Sequence, residues 1–324
     1  MRKNLQAPTF ADVLRARQVV ERYLHRTPLH LYPLLSEKLG FSVYVKHENH
    51  HLTGAFKVRG GVYLMSQLSD EERLRGVVTA STGNHGQSIA YAARLFGVRA
   101  IIAVPEGANP AKVESMRALG AEVRFHGRDF DDARTYVEEL GSKDGYRYVH
   151  SGDEPHLIAG VATYALEILE DAPDIDVILC PLGGGSGAAG CCLVAEAVNP
   201  AIEVVAVQAE GAPAGYLSWR DKELVEAEMK TSAEGLATRT AFALPQSVLW
   251  EHLNDFVLVS DDELAAAVCL YLETTRNLAE TAGAATLAAA WKFRERFSGK
   301  SVALVLSGGN VSVGQLREIL SRGS

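Results

Sequence analysis

One lysine, Lys57, lies in residues 53–61, a segment of mostly small and apolar side chains whose only other charge is Arg59. Removal from water and a nearby cation both favour the neutral form of a lysine amine, and a neutral amine forms a Schiff base with an aldehyde. A lysine between loop glycines is also common on a solvated surface. The segment therefore indicates a candidate nucleophile, whose interpretation depends on the rest of the chain.

A second segment, residues 183–187, contains four glycines and follows a buried strand predicted over residues 177–180. Consecutive glycines allow backbone N–H groups to converge on an anion, and the N-terminus of the following helix adds its dipole. A βα turn that only needs positive φ angles is the alternative. The concentration of glycine favours a phosphate site.

The same segment has a competing interpretation as a dinucleotide site. Gly185, Gly187 and Gly190 have the spacing of the dinucleotide-binding fingerprint. That motif also needs an acidic residue at the end of the next strand, where this chain has Gln208. Glu210 follows two residues later, so a nicotinamide-dependent oxidoreductase stays open as an alternative.

Two further polar loops follow predicted strands. Residues 81–86 offer small hydroxyls, an amide and helix N–H groups, which suit a carboxylate or phenolate oxygen, although Ser81 or Thr82 could simply cap the helix. In residues 307–310, Ser307 can offer a hydroxyl to a heterocycle nitrogen, or the segment can be a plain turn. Ligands of doubly wound sheets bind beyond the carboxyl ends of the strands. We therefore predict that the three loops line one crevice.

Other clusters of reactive side chains carry less information. Residues 47–51 contain three histidines but lack the H-E-x-x-H pattern, and strand alternation would turn neighbours to opposite faces, so no metal site is predicted there. Cys191 and Cys192 are predicted to pack in a helix. None of the four cysteines forms a C-x-x-C pair, which predicts reduced thiols in a cytoplasmic protein.

Composition limits the class of protein. The 324 residues are 47% hydrophobic and 22% charged, as expected of a globular chain long enough for two domains. The net charge of −8 disfavours a nucleic-acid partner. No apolar run is long enough to span a membrane, and the N-terminus lacks the apolar region of a signal peptide. Composition therefore favours neither a nucleic acid nor a membrane as partner.

Short β-branched runs alternate with helical stretches, a pattern typical of α/β folds with parallel strands. Residues 76–150 are predicted to form a small domain, and residues 1–75 and 151–324 a larger one that includes Lys57. Residues 211–246 show no clear period. The predicted strands cover residues 76–80, 98–104, 121–125, 146–149, 177–180, 203–207, 256–259 and 301–306.

Lys57, Asn84, the glycine segment and Ser307 occur in the order found in the fold-type II pyridoxal-phosphate enzymes, which the chain resembles along essentially its whole length. The resemblance is greatest to the serine/threonine dehydratases (threonine ammonia-lyases) and serine racemases. It begins at residues 26–29, Arg-Thr-Pro-Leu, and ends at the Ser-Gly-Gly-Asn turn. It implies two open, twisted, mostly parallel sheets of the tryptophan synthase β type, pyridoxal 5'-phosphate as cofactor, and a homodimer.

The resemblance also implies individual roles. Lys57 would form the Schiff base, Phe56 would pack against the cofactor ring, and Asn84 would bind the ring's phenolic oxygen. Ser307 would face the pyridine nitrogen, with Glu280 near the same side. The phosphate would be held by Gly183, Gly184, Gly185, Ser186 and Gly187. The substrate carboxylate would be bound by Ser81, Thr82, Gly83 and His85.

Several positions depart from the family's common pattern. Ala55 replaces a serine, His51 a glutamine, and Ser186 the fourth glycine of the phosphate loop. Gln208 and Ala214 stand where related racemases carry a metal-binding acid pair, so no metal is predicted. The His51 and Thr82 changes would leave room for an unusual β-hydroxy amino acid, and Ala55 and His51 would mark where the substrate choice of this chain differs from that of its relatives.

The implied reaction is elimination from a β-hydroxy amino acid such as L-threonine or L-serine, which yields a 2-oxo acid and ammonia. Lys57 would remove the Cα proton. Thr82 is a second catalytic candidate, because racemases have a serine there and many threonine dehydratases an alanine. A racemase and a dehydratase of a bulkier hydroxy amino acid are the alternatives. Because the chain ends at Ser324 without a regulatory domain, we expect no inhibition by isoleucine.

Overall fold

The computed structural model describes residues 5–322, apart from the side chain of residue 131. Its helices α1–α14 are Phe10–Tyr23, Pro33–Leu39, Lys57–Ser66, Asp70–Arg75, Asn84–Leu95, Pro110–Ala118, Phe130–Asp144, Pro155–Asp171, Ser186–Val198, Ala214–Asp221, Ala243–His252, Asp261–Thr275, Thr281–Lys292 and Val313–Arg322. Its strands β1–β10 are Leu29–Leu31, Ser42–His47, Val77–Ala80, Ala100–Val104, Glu122–Phe125, Arg147–Tyr148, Val177–Pro181, Glu203–Ala209, Asp255–Val259 and Ser301–Leu306.

The strands form two sheets. The larger has the order β1-β2-β10-β7-β8-β9, and only its edge pair β1–β2 is antiparallel. The smaller has the order β5-β4-β3-β6 and is parallel throughout. Strands β3, β4 and β7 are buried along their whole length, as expected where helices cover both faces of a parallel sheet. The predicted fold class, two mostly parallel sheets, is confirmed.

Local sequence signals account for several boundaries. Ser260 caps α12: its hydroxyl accepts a hydrogen bond from the N–H of Glu263, whose carboxylate accepts one from the N–H of Ser260. The alanine-rich helix α13 ends at Lys292, and a 3₁₀ turn, Arg294–Phe297, follows. Across the described part of the chain, none of the helices combines the length and hydropathy that a membrane span needs.

The prediction of a loop around Lys57 is wrong, because Lys57 is the first residue of helix α3. Two glycines in this helix suggested a loop, but they serve close packing between helices. A Cβ at Gly60 would lie 2.8 Å from the carbonyl oxygen of Leu157 in α8, and one at Gly61 would lie 2.3 Å from the hydroxyl of Ser88 in α5. Helix α3 therefore lies pressed between α5 and α8.

The strands of the smaller sheet all come from residues 77–148, and those of the larger sheet from the remainder. Helix α3 does not follow this division, because Val58, Val62 and Met65 pack in the same apolar cluster as Val77 and Ile102 of the smaller sheet. The division into residues 1–75 plus 151–324 and 76–150 therefore stays a prediction.

Four buried charges connect α3 with the larger sheet, and we call Lys46, Glu48, Arg59 and Glu167 the buried ion network. The Arg59 guanidinium donates to both Glu48 (2.7 and 2.9 Å) and Glu167 (2.7 and 2.8 Å). The Lys46 ammonium donates to Glu167 at 2.5 Å and to the carbonyl of Thr27 at 2.8 Å. Burial alone raises the pKa of Glu48, but the Arg59 charge holds that pKa well below its usual range. The two positive and two negative charges of these buried side chains balance one another.

We expect Glu167→Gln to lower the free energy of unfolding by about 3–5 kcal/mol, because it leaves buried Lys46 and Arg59 with one carboxylate between them. Glu170 lies one turn further along α8 and pairs with Arg26 at a more exposed position. Glu170→Gln is the matched control and should cost about 1 kcal/mol or less. Equilibrium urea unfolding of the cofactor-loaded variants measures both, and equal losses would contradict the assigned role of the network.

Candidate active site

The carboxyl ends of β3, β7 and β10 open onto one cavity of about 480 Å³. The prediction that three strand-end loops share a crevice is confirmed. Every residue that the sequence analysis assigned to the site lines this cavity: Phe56, Lys57, Ser81, Thr82, Gly83, Asn84, His85, Gly183, Gly184, Gly185, Ser186, Gly187, Glu280 and Ser307.

Lys57 places its amine against the glycine loop. Its Nζ lies 3.1 Å from the hydroxyl oxygen of Ser186 and 5.2 Å from the centroid of the Phe56 ring. Burial lowers the pKa of Lys57 to about 8. The predicted contribution of Arg59 is wrong, because the charge of Arg59 is neutralised within the buried ion network. Burial alone therefore brings the amine near its neutral form.

The glycine loop has the chemistry of an anion site. Gly185 precedes α9 with φ of +88°, a conformation that glycine adopts without strain. No hydrogen bond among the described residues uses the backbone N–H of Gly184, Gly185, Ser186 or Gly187. These donors sit at a helix N-terminus on the cavity wall, so the loop fits a phosphate.

The start of α5 forms a second polar wall. The hydroxyl oxygen of Ser81 accepts hydrogen bonds from the N–H groups of Gly83 (3.2 Å) and Gly86 (2.9 Å), so it satisfies one donor in the first turn of α5, whose N-cap residue is Gly83. The backbone N–H groups of Asn84 and His85 have no acceptor among residues 5–322. They remain available for a carboxylate.

The side chain of His85 is unsuited to hold a carboxylate. The hydroxyl of Thr79 donates to the carbonyl of Val149 at 2.8 Å, so Nε2 of His85 must donate to Thr79, at 3.0 Å. The other ring nitrogen, Nδ1, is buried without a hydrogen-bond partner among the described residues. Burial lowers the pKa of His85 to about 3, so the ring is neutral and presents a lone pair. Only the backbone N–H of His85 can bind the carboxylate.

The end of β10 connects directly to the lysine segment. The N–H of Phe56 donates to the carbonyl of Ser307 at 3.0 Å, and the N–H of Gly309 donates to the carbonyl of Gly54 at 2.9 Å. Glu280, at the start of α13, accepts a hydrogen bond from the amide of Asn84, and burial raises the pKa of Glu280 to about 7. Hydrogen bonds thus join the end of β10 to the lysine segment, and the start of α5 to the start of α13.

Two predicted specificity positions lie outside the cavity lining. His51 is buried with Nε2 3.2 Å from a carboxylate oxygen of Glu48, and Ala55 pairs with Gly308. The expectation that His51 shapes the substrate pocket is therefore wrong. Its position in the sequence, close to Lys57, did not reveal that its side chain points into the ion network.

The alternative metal and dinucleotide interpretations lack support in the geometry. Among residues 5–322, no group of three or more His, Cys, Asp or Glu side chains is arranged to hold a metal ion. Gln208 is buried and accepts a hydrogen bond from the N–H of Tyr216 at 3.0 Å. Glu210 pairs with Lys292 at 2.8 Å and does not line the cavity. Neither position 208 nor position 210 therefore places a carboxylate in the cavity for a dinucleotide ribose.

Residues 211–246, which show no clear sequence period, supply much of the remaining cavity wall. Arg239 and Phe242 line the cavity, as does Glu234, which pairs with Lys112 of α6 across the mouth. The side chain of Asn310 does not line this cavity but donates a hydrogen bond to the side-chain oxygen of Asn84. No sequence periodicity pointed to the first three, whereas Asn310 belongs to the Ser-Gly-Gly-Asn turn and could have been suspected.

A family model described as "Pyridoxal-phosphate dependent enzyme" matches residues 20–308. The chain belongs to this family. Pyridoxal phosphate is accordingly its cofactor, and the cavity fits it: the unused N–H groups of the glycine loop suit the phosphate, and Lys57 offers an amine of lowered pKa beside that loop. Phe56 and Asn84 border the space between them.

The individual relatives are named for different activities. The chain is 38% identical to an L-threonine ammonia-lyase of Thermotoga maritima, covering 97% of this chain and 79% of that protein. It is 34% identical to an L-threo-3-hydroxyaspartate ammonia-lyase of Saccharomyces cerevisiae, covering 97% of both. Maize serine racemase is a similar solved structure, with a TM-score of 0.92, 29% identity and coverage of 98% of each chain.

The lowered pKa of Lys57 predicts how cofactor capture depends on pH. The amine is protonated below about pH 8 and neutral above it, so the rate at which cofactor-free protein captures pyridoxal phosphate should rise through about pH 8 and then level off. An ordinary lysine would keep gaining rate up to a pH of about 10.4.

Stopped-flow absorbance measures this rate, and borohydride should then fix the cofactor covalently to Lys57. Lys57→Arg is the control and should show no fixation. A colourless protein that cannot be reconstituted would contradict the cofactor assignment.

Proposed function

We propose that this protein is a pyridoxal-phosphate-dependent ammonia-lyase that eliminates water from a β-hydroxy amino acid, with L-threonine and L-serine as default substrates. The products are a 2-oxo acid and ammonia. The observation that carries this proposal is the amine of Lys57, 3.1 Å from Ser186 in the glycine loop and in the same cavity as the free N–H groups of α5. An amine, an anion cradle and a carboxylate site are the parts that the reaction needs.

Each part has a definite task. Pyridoxal phosphate supplies an aldehyde for the substrate's amino group and a ring that withdraws electrons from Cα. The N–H groups of Asn84 and His85 bind the substrate carboxylate and so orient the Cα–H bond. Lys57, whose pKa of about 8 leaves part of the amine neutral near physiological pH, accepts the Cα proton and can return it to the departing hydroxyl. Ser307 offers the ring nitrogen a hydroxyl, which, unlike a carboxylate, does not hold that nitrogen protonated.

An acidic hydroxy amino acid is the second candidate substrate. Arg239 lines the cavity, and no ion pair within residues 5–322 neutralises it. A threonine side chain offers no group that needs a guanidinium, whereas the second carboxylate of 3-hydroxyaspartate does. The yeast relative named for that substrate supports this candidate.

Assembly and location are proposals as well. The resemblance favours a homodimer, which light scattering of the loaded protein tests. The four free cysteines, three of them buried, support a reducing compartment such as the cytoplasm, which fractionation of the source cells tests.

A substrate panel should show 2-oxo acid release from L-threonine or L-serine, with inversion of configuration slower than elimination. Lys57→Ala should reduce release by about 10³-fold or more, since base and cofactor anchor are lost together. Coupled dehydrogenase assays measure the keto acid, and chiral chromatography measures inversion. Faster inversion would favour the racemase alternative, in which case Thr82→Ala should suppress inversion selectively. Dinucleotide binding that survives Lys57→Ala would instead support the oxidoreductase.

If Arg239 recognises a second carboxylate, Arg239→Gln should lower kcat/KM for 3-hydroxyaspartate by about 10–100-fold, through loss of one charged hydrogen bond. The same change should alter kcat/KM for L-threonine by less than about threefold. Arg317→Gln, at an exposed position outside the cavity, is the control. Equal losses for both substrates would contradict selective recognition by Arg239.

A further inference from the structure

A chain of side-chain hydrogen bonds runs behind the cavity wall. The amide nitrogen of Asn310 donates to the carbonyl of Thr53 and to the side-chain oxygen of Asn84, both at 2.8 Å. The amide nitrogen of Asn84 in turn donates to a carboxylate oxygen of Glu280 at 2.6 Å. Four segments that are distant in sequence are joined in this way.

The chemistry of the partners fixes the orientation of both amides. A backbone carbonyl such as that of Thr53 can only accept a hydrogen bond, so Asn310 must turn its NH₂ group toward Thr53. The same NH₂ group faces Asn84, whose side-chain oxygen must therefore be the acceptor. The nitrogen of Asn84 is then left for Glu280, which accepts. The amide of Asn84 therefore has one orientation, in which a single N–H stays without an acceptor.

Neighbouring glycines show how closely the chain is packed around these groups. A Cβ at Gly54 would lie 2.4 Å from the side-chain oxygen of Asn310, and one at Gly308 would lie 2.4 Å from a carboxylate oxygen of Glu280. The N–H of Glu280 also donates to the carbonyl of Gly308 at 3.1 Å. The side chains of Asn310 and Glu280 therefore have little room to move. The amide groups of Asn310 and Asn84 cannot rotate without losing their hydrogen-bond partners.

We propose that Asn310 and Glu280 are positioning residues, which hold Asn84 so that its remaining N–H points to the ring oxygen of the cofactor. The inference depends on pyridoxal phosphate binding in this cavity but not on which amino acid is the substrate. A donor beside the ring oxygen favours its anionic form over the neutral form. The visible and near-ultraviolet absorption bands of the loaded protein report the balance between these two forms.

Asn310→Asp is the decisive variant, because it keeps the shape of the side chain and replaces a donor with an acceptor. Asn84 must then turn its nitrogen to residue 310, and the N–H at the ring oxygen is lost. The ratio of the visible to the near-ultraviolet band should fall about tenfold at fixed pH, and the dissociation constant of the cofactor should rise about tenfold, as expected for one charged hydrogen bond. Glu280→Gln retains an acceptor and should stay within about threefold of the wild type.

The matched control is Asn49→Asp, which removes a similar amide-to-carbonyl bond, from Asn49 to Leu278, close to Gly309 but without contact to Asn84. A second test separates positioning from general packing. In an Asn84→Ala background, Asn310→Asp should change either measurement by less than about twofold, whereas a packing defect would add its full effect. If Asn310→Asp does not fold, Asn310→Ala should change both measurements in the same direction.

Two results would overturn the inference. One is an absorption ratio and cofactor affinity in Asn310→Asp equal to those of Asn49→Asp, and the other is full additivity with Asn84→Ala. A wild-type protein without a visible band would instead overturn the cofactor assignment together with this inference. The two failures can therefore be distinguished.

Discussion

The balance of charge in the buried ion network constrains the rest of the structure. Two buried cations and two buried carboxylates are tolerated only while they remain paired, so Arg59 must lie between Glu48 and Glu167. Successive residues of an α-helix are about 100° apart around its axis, which places Lys57 about 200° from Arg59 on α3. Holding Arg59 in the network therefore turns Lys57 to the opposite side, into the cavity. The position of the reactive amine follows from a salt-bridge arrangement that contacts no ligand.

Much of the site could be predicted from sequence because it follows a topological rule. Loops at the carboxyl ends of parallel strands meet at one edge, so recognising three strands with glycine-rich or polar ends was enough to bring Asn84, the glycine loop and Ser307 together. Lys57 follows none of these strands, and the resemblance to the fold-type II enzymes implied its place beside them. These residues required no knowledge of side-chain packing.

The errors concern features that depend on distant contacts. Gly60 and Gly61 looked like loop residues, but the space they leave is filled by α5 and α8. The predicted effect of Arg59 on the pKa of Lys57 was wrong because the direction in which each side chain of α3 points cannot be predicted until the first residue of the helix is known. Arg239 and Phe242 come from a stretch without periodicity, whose conformation is set by the cavity edge. Sequence thus predicted the cofactor site better than the substrate pocket.

Helix α3 has a mechanical consequence for any motion between the two sheets. Phe56, the residue before its first turn, is joined to the end of β10 by a hydrogen bond to Ser307, while later residues of the helix pack with the smaller sheet. A rotation of the smaller sheet would thus have its pivot close to Lys57. The start of α5, with the free N–H groups of Asn84 and His85, would swing toward or away from the larger sheet, while the amine itself would move least. The cavity could then change its width around an almost stationary reacting group.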